Sequence, residues 1–296
     1  MSPLKTLRTK PLSPRFGVEV LDIDLATVDL LDVFPAIRAG FEHQSALLFR
    51  NQKLPAQTHM RLAEMFGPLE DRKADEKLPS DPFEISQLSN VTANGGVTGA
   101  MELHTLSLKS NQLWHTDSTF LPIPALVNIL TAKIVTETGG ETEIASTRLA
   151  WHDMPESLKR RIRGRGIHHR FSHSRAKIDA ELARQHAIIK WPDTHWNSIW
   201  RNPVTGEDAL YIASHAFRID GMDEAASEVL LTELTEFCTQ PEYVYSHKWT
   251  VGDVLIWDER ATIHRGQPWD YSKPRALASI CSSVTEADGL SSMRMV

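Results

Sequence analysis

The chain has 296 residues, 41% of them hydrophobic, and a formal net charge of -6. That length suits one large domain or two small ones, and β-rich single domains often run above 200 residues, so one domain spanning 1–296 is expected. The negative charge gives no general attraction to nucleic acid or to anionic membranes, and any anionic ligand needs a local basic pocket.

The opening Met1-Ser2-Pro3-Leu4-Lys5 lacks the apolar stretch of a signal peptide. No later run approaches the ~18 apolar residues of a membrane span, and a cytoplasmic protein is expected. Phe16 to Leu25 reads as a strand entering a turn. Leu30 to His43 reads as a helix, with Leu31, Phe34, Ile37, Arg38 and Phe41 at three- and four-residue steps. A short buried strand follows at Ser45 to Arg50, then a helix at Ala56 to Phe66 stopped by Gly67-Pro68. Pro68 to Ser110 is irregular and polar, with one strand at Glu84 to Ser89 and a turn at Asn94-Gly95-Gly96. So long an irregular segment inside a compact domain predicts a lid over a site, at about 70–110. Its cations include Lys73, Lys77, His104 and Lys109, which read as solvated charges more readily than as ligand contacts.

Asn111-Gln112-Leu113-Trp114-His115-Thr116-Asp117 fits a strand better than a helix, because Trp114, Thr116, Thr119 and Phe120 favour a pleated surface. On a strand, His115 and Asp117 share one face. They are two members of a two-His-one-carboxylate triad, which leaves open positions on non-haem Fe(II). Of the thirteen histidines, His264 stands in the most suggestive context. It follows the apolar run Val254-Leu255-Ile256-Trp257 and the charged turn Asp258-Glu259-Arg260, and would close a second short strand at a barrel rim. A His-x-Asp pair alone is more often satisfied by ordinary hydrogen bonds than by metal.

Leu126 to Val135 reads as a core strand, and Glu137-Thr138-Gly139-Gly140 as a turn into Glu141 to Ala145. Thr147 to Ile162 is helical with a break at Pro155. His168, His169, His173, His186 and His195 crowd the segment Gly166 to Trp200, but their irregular spacing matches no ligand pattern, and no second metal site is expected. A strand at Ala209 to Ile212, an amphipathic helix at Glu224 to Cys238, and strands at Tyr243 to Trp249, Val254 to Trp257 and Arg275 to Val284 complete the pattern. Cys238 and Cys281 read as buried free thiols. Without regular β-α alternation or a phosphate-binding glycine loop, a doubly wound nucleotide fold is excluded, and a jelly roll of two facing antiparallel sheets accommodates the elements.

Asn111 to Asp117, Gly139-Gly140-Glu141-Thr142-Glu143, Gly252 to Arg260 with His264-Arg265-Gly266, and finally Arg275 occur in one order at characteristic spacings. Together they make the chain resemble the Fe(II)/2-oxoglutarate-dependent dioxygenases typified by taurine dioxygenase and 2,4-dichlorophenoxyacetate dioxygenase. The resemblance runs from about Phe16 to about Thr285 and is nearer the herbicide-degrading branch. It implies a mainly β fold with a double-stranded β-helix core, helices on one outer face and inserts over the mouth. It also implies Fe(II) held by His115, Asp117 and His264, with 2-oxoglutarate as cosubstrate and O2 as oxidant. The cosubstrate's C5 carboxylate needs a bidentate cation, for which arginine is suited. Arg275, eleven residues after His264, matches that arginine, Thr142 matches a hydroxyl donor to the same carboxylate, and Asn111 a polar residue of the same cavity.

The implied reaction is oxidation of a small anionic substrate with release of succinate and CO2. For an aryloxyacetate, hydroxylation beside the ether oxygen gives a hemiacetal that collapses to a phenol and glyoxylate. The alternative is the same chemistry on taurine, another alkylsulfonate or an amino acid, which differs only in pocket shape. A non-oxidative metal-binding jelly roll, or a hydrolase using a Zn-bound water, is the reading from a different class. A homo-oligomer is expected. The chain departs from its relatives at Ser279, where both family types carry a second arginine that meets the substrate anion. His215 and Arg218 are the expected substitutes, with Lys109 of the lid as the alternative.

Overall fold

The computed structural model describes residues 7–78 and 80–295. Along the chain the strands are β1 (Thr9–Pro11), β2 (Val18–Val20), β3 (Ala46–Phe49), β4 (Ser86–Ser89), β5 (Ala125–Ile134), β6 (Thr142–Ser146), β7 (Gly166–His169) and β8 (Thr194–Asn197). They continue as β9 (Ile199–Arg201), β10 (Asp208–Leu210), β11 (Ala216–Ile219), β12 (Val244–His247), β13 (Val254–Asp258), β14 (Thr262–Gly266) and β15 (Ala276–Ser283). The large sheet has the order β1-β2-β3-β13-β5-β15-β4, and a small sheet has the order β12-β6-β14. Neighbours in both are antiparallel except β2 with β3. This is the jelly-roll core that the strand pattern predicts.

The all-apolar run of β13 follows from its central position. Its Val254 and Ile256 pack with Leu47 and Phe49 of β3 against the helices Leu30–Gln44 and Ala56–Phe66 on the outer face. Its Leu255 and Trp257 face inward and pack with Ala46, Leu48, Leu130, Leu277 and, from the small sheet, Ile144. A strand buried on both faces reads as a continuous hydrophobic run, and each fully buried Leu, Ile or Phe contributes about 1.5–3 kcal/mol. The outer face of the small sheet, through Ala145 and Ile263, packs on the helices Thr147–Asp153, Glu156–Ile162 and Glu224–Cys238. Helices therefore cover both outer faces rather than one. The sequence pattern of these helices says that they are amphipathic but not which sheet they cover.

The charged turn at the end of β13 is buried. Arg260 is 1% exposed and donates to Glu42 Oε2 at 2.6 Å and to Asp258 Oδ2 at 2.9 Å, which ties the helix Leu30–Gln44 to the end of β13. The segment 111–117 is not a strand: a 3-10 turn occupies Ser110–Gln112, and His115 forms only an isolated bridge with His264. Cys238 and Cys281 are buried and free. No helix among the described residues is long and apolar enough to cross a membrane.

Candidate active site

At the mouth between the two sheets lies a cavity of about 540 Å³, lined in part by residues of the segment 70–88 and by Leu108. One wall is built by the bridge of His115 to β14. The His115 amide donates to the His264 carbonyl at 3.0 Å, and the His264 amide returns the bond at 2.7 Å. The two imidazoles consequently lie side by side, with ring centroids 4.2 Å apart. Ser118 then takes a left-handed φ of 61°, and the Asp117 amide donates to buried Glu259 Oε2 at 2.9 Å. These two features turn the Asp117 carboxylate toward the imidazoles. Asp117 lies 3.9 Å from Nε2 of His115 and 3.9 Å from Nε2 of His264, and one ligand atom from each of the three residues falls within 4.8 Å of the others.

The protonation states suit a cation. Burial pushes both imidazoles below the usual histidine range, His264 to about 3 with His115 adding to the effect. Neutral imidazole is the ligating form. His115 Nδ1 lies 2.7 Å from the Leu113 carbonyl, so its proton is held there and Nε2 is free to coordinate. Burial alone would raise Asp117, but its interactions with His264, His115 and Arg72 and the bond from Asn128 outweigh it and keep the carboxyl below its ordinary range. Asn128 Nδ2 donates to Asp117 Oδ2 at 2.7 Å, and Ser279 Oγ donates to Asn128 Oδ1 at 2.8 Å. That two-bond chain fixes the orientation of both the amide and the carboxylate.

A cation waits in another wall of the cavity. Arg275 is 6% exposed, and among the described residues no carboxylate lies within ion-pair distance of it. Its Nη2 donates to the Gly140 carbonyl at 2.7 Å and its guanidinium stacks over Trp269 at 4.7 Å. Gly140 is required here: it has φ +74°, and a Cβ would meet Arg275 Nε at 2.8 Å. Burial pushes the guanidinium down to about 10, against opposing contributions from Tyr271 and Glu141. Thr142 Oγ1 accepts from Trp249 Nε1 at 3.0 Å, which leaves its own O–H to donate into the cavity. Asn111 lines the same space. Two neutral imidazoles and a carboxylate suit a divalent cation, and a buried guanidinium without a carboxylate, in the same cavity as the Thr142 hydroxyl, suits a carboxylate ligand.

Residues 8–281 match the family described as taurine catabolism dioxygenase TauD, TfdA family. The chain belongs to this family. It is 33% identical to an alpha-ketoglutarate-dependent 2,4-dichlorophenoxyacetate dioxygenase of Cupriavidus pinatubonensis, over 90% of this chain and 94% of that one. It is 30% identical to an (S)-phenoxypropionate/alpha-ketoglutarate-dioxygenase of Sphingobium herbicidovorans, over 90% and 91%. The crystal structure of AAD-2 in complex with Mn(II) and N-oxalylglycine superposes with a TM-score of 0.88 at 29% identity, covering 95% of this chain and 98% of that one. The protein is thus a 2-oxoglutarate-dependent non-haem iron dioxygenase that uses Fe(II), 2-oxoglutarate and O2. The binding-protein and hydrolase readings fall away.

The residues expected around the substrate of the dioxygenase divide. His215 lines the cavity, buried, with Nδ1 3.2 Å from Thr119 Oγ1 and with Nε2 unpartnered. Ser279 also lines it, but its hydroxyl proton is committed to Asn128. Arg218 lies outside: it is exposed on β11, and its Nη2 is 3.2 Å from His168 Nε2. The strand is irregular between Ala216 and Arg218, and Arg218 is its one exposed residue, with Ala216, Phe217 and Ile219 buried. Lys109 is also absent from the lining. It donates to the Ala100 carbonyl at 2.9 Å and covers Tyr271 at 5.4 Å, bracing the insert from its outer side.

Sequence reasoning missed Asn128, hidden in the apolar run of β5, and Arg175, which carries no motif. The histidine-rich segment does assemble one group, His168, His195 and Asp220, with ligand atoms within 4.8 Å. Both histidines bond Asp220, at 3.0 and 2.9 Å, and the group is half-exposed.

Proposed function

We propose that the dioxygenase oxidises a small aryloxyalkanoate, such as 2,4-dichlorophenoxyacetate, at the carbon between ether oxygen and carboxylate, releasing a phenol and, from an acetate side chain, glyoxylate. His115, Asp117 and His264 hold the Fe(II); Arg275 and Thr142 bind the C5 carboxylate of 2-oxoglutarate, with Asn111 lining its place. When bound, iron and cosubstrate couple decarboxylation of 2-oxoglutarate to insertion of one oxygen atom into a substrate C–H bond. The chain's own part is positional. Asn128 and Ser279 hold the Asp117 carboxylate still, Leu113 keeps the His115 proton away from the metal side, and the buried walls exclude water. The product of oxygen insertion is a hemiacetal, which loses its hydroxyl proton and expels the phenoxide without further help.

The observation that carries this reading is the cavity itself. The triad and the unpaired Arg275 share it with apolar residues that include Phe83, Phe120 and Leu277, which offer a surface for an aromatic ring. The identity to aryloxyalkanoate dioxygenases supports the same substrate class. The test begins with anaerobic addition of Fe(II) and 2-oxoglutarate, for which a metal-to-ligand charge-transfer band is expected. A panel of phenoxyacetates, taurine and other alkylsulfonates, and amino acids is then assayed for succinate and for released phenol. Succinate formation driven by an alkylsulfonate or an amino acid, with no phenol from any phenoxyacetate, rejects the proposed substrate class.

A further inference from the structure

With Ser279 committed to Asn128, the carboxylate of a substrate needs a cation elsewhere, because a buried charge without a partner is too costly. The cavity is lined by six lysines and arginines, and four of them already have carboxylates. Arg72 pairs with Glu70 at 2.6 Å, Lys73 with Glu84 at 3.3 Å, Lys77 with Asp71 at 3.3 Å and Arg265 with Glu143 at 2.7 Å. Arg275 and Arg175 remain, and they stand in different walls. Arg275 meets Gly140 and Trp269, and its place is taken by the cosubstrate in the reading above.

Arg175 ends the short helix Phe171–Ala176 and is 9% exposed. Its guanidinium stacks on Phe171 at 4.3 Å, and Phe171 in turn stacks on Phe120 with centroids 3.7 Å apart. Its Nη1 donates to Ser174 Oγ at 3.0 Å, its Nε has no partner, and no carboxylate among the described residues lies within ion-pair distance. Burial, and next the charge of Arg72, push the guanidinium down to about 9 despite Asp117 nearby. The adjoining His215 leaves Nε2 unpartnered in the same cavity, its ring 5.7 Å from that of Phe171. A planar, desolvated cation held flat on an aromatic ring, with free N–H groups and a second unpartnered nitrogen beside it, is built to receive a carboxylate.

We infer that Arg175, with His215 beside it, is the anion subsite for the prime substrate, taking the role left open at Ser279. This rests on the proposed oxidation of a small anion in this cavity. The stacked Phe120–Phe171 pair then stands next to the bound carboxylate, so an aryl ring joined to it through one or two atoms reaches the apolar wall. The subsite selects by charge and not by the ring.

The test compares wild-type holoenzyme with Arg175→Gln and Arg175→Lys, with Arg218→Ala as the control for a surface arginine. Each is loaded anaerobically with Fe(II) and 2-oxoglutarate, and the shift of the charge-transfer band is titrated with phenoxyacetate, phenoxyacetamide and an alkylsulfonate. In Arg175→Gln the Kd for the effective anion should rise about tenfold or more, with the 2-oxoglutarate Kd unchanged, while Arg175→Lys recovers part of the loss. Wild type should prefer acid over amide, and Arg175→Gln should lose that preference. A wild type that answers to the alkylsulfonate and not to phenoxyacetate rejects the aryloxy reading while leaving Arg175 to be judged on the sulfonate. Equal weakening of acid and amide, an unchanged anion Kd in both Arg175 variants, or a wild type indifferent to ligand charge overturns the subsite.

Discussion

Replacing Arg275 by Met should have opposite effects on the empty and the loaded enzyme. In the absence of ligand the guanidinium is buried with no carboxylate partner among the described residues, and burial drops it well below its ordinary value, to about 10. At about 1.4 kcal/mol per pH unit, holding that cation in the fold costs roughly 3 kcal/mol. Met removes the charge and keeps the aliphatic stem, but it forfeits the bond to Gly140 and the stack on Trp269, together worth about 2 kcal/mol. The metal-free, ligand-free variant should therefore be as stable as wild type or about 1 kcal/mol more stable in urea denaturation. With 2-oxoglutarate the sign reverses. Losing one partner of a buried charge-assisted pair costs about 2–5 kcal/mol, so the Kd read from the charge-transfer titration should rise from about thirtyfold to several thousandfold. Binding of the prime substrate should change far less. Unchanged 2-oxoglutarate affinity, or equal losses for both ligands together with a destabilised apoprotein, would show that Arg275 is a structural residue and refute the reasoning.

Alanine at His115, Asp117 or His264 should abolish both the charge-transfer band and substrate-dependent oxygen uptake, with little change in the melting temperature of the metal-free protein; wild-type turnover in any one variant removes that residue from the ligand set. Asn128→Ala frees the Asp117 carboxylate, and Fe(II) affinity by equilibrium dialysis should fall about 10- to 100-fold, an expectation that fails if affinity is within twofold of wild type. His169 is fully buried with both ring nitrogens unpartnered, and burial pushes it to about 3. Below about pH 6.5 the unfolded chain takes up a proton that the folded one refuses, so this residue makes stability fall as pH falls toward 3, by about 2 kcal/mol between pH 7 and 5. In His169→Phe that part of the acid loss should vanish from urea denaturation run at the two pH values, and an undiminished loss would assign it to other groups.

The long elements were legible because their signals are local. Ala56–Phe66 and Glu224–Cys238 carry an apolar stripe at helical spacing, and β13 carries an unbroken apolar run that suits only a strand covered on both faces. The convergence of His115, Asp117 and His264 was also within reach, although the strand expected to align the first two does not exist. A single bridge to His264 and a left-handed Ser118 bring about the same meeting. Two neighbouring residues can be aimed together by more than one backbone path, so the chemistry was better determined than the conformation.

What the sequence by itself determined about this protein is the jelly-roll class, the family and the candidate set His115, Asp117, His264 and Arg275, each written in residue types at short or family-typical spacing. Only the tertiary structure decided which cations face the cavity. Arg218 and Arg175 look alike in sequence, but the irregular strand β11 leaves the first in solvent, and the short helix Phe171–Ala176 lays the second on Phe171 inside. Ser279 likewise reads as a weakened substrate contact until the neighbouring strand β5 supplies Asn128 to take its hydroxyl proton. Whether a polar side chain is free or already committed depends on partners brought in from distant segments, 151 residues away for Ser279 and Asn128. Local periodicity holds no record of such meetings, because they are fixed by how the sheets and helices pack.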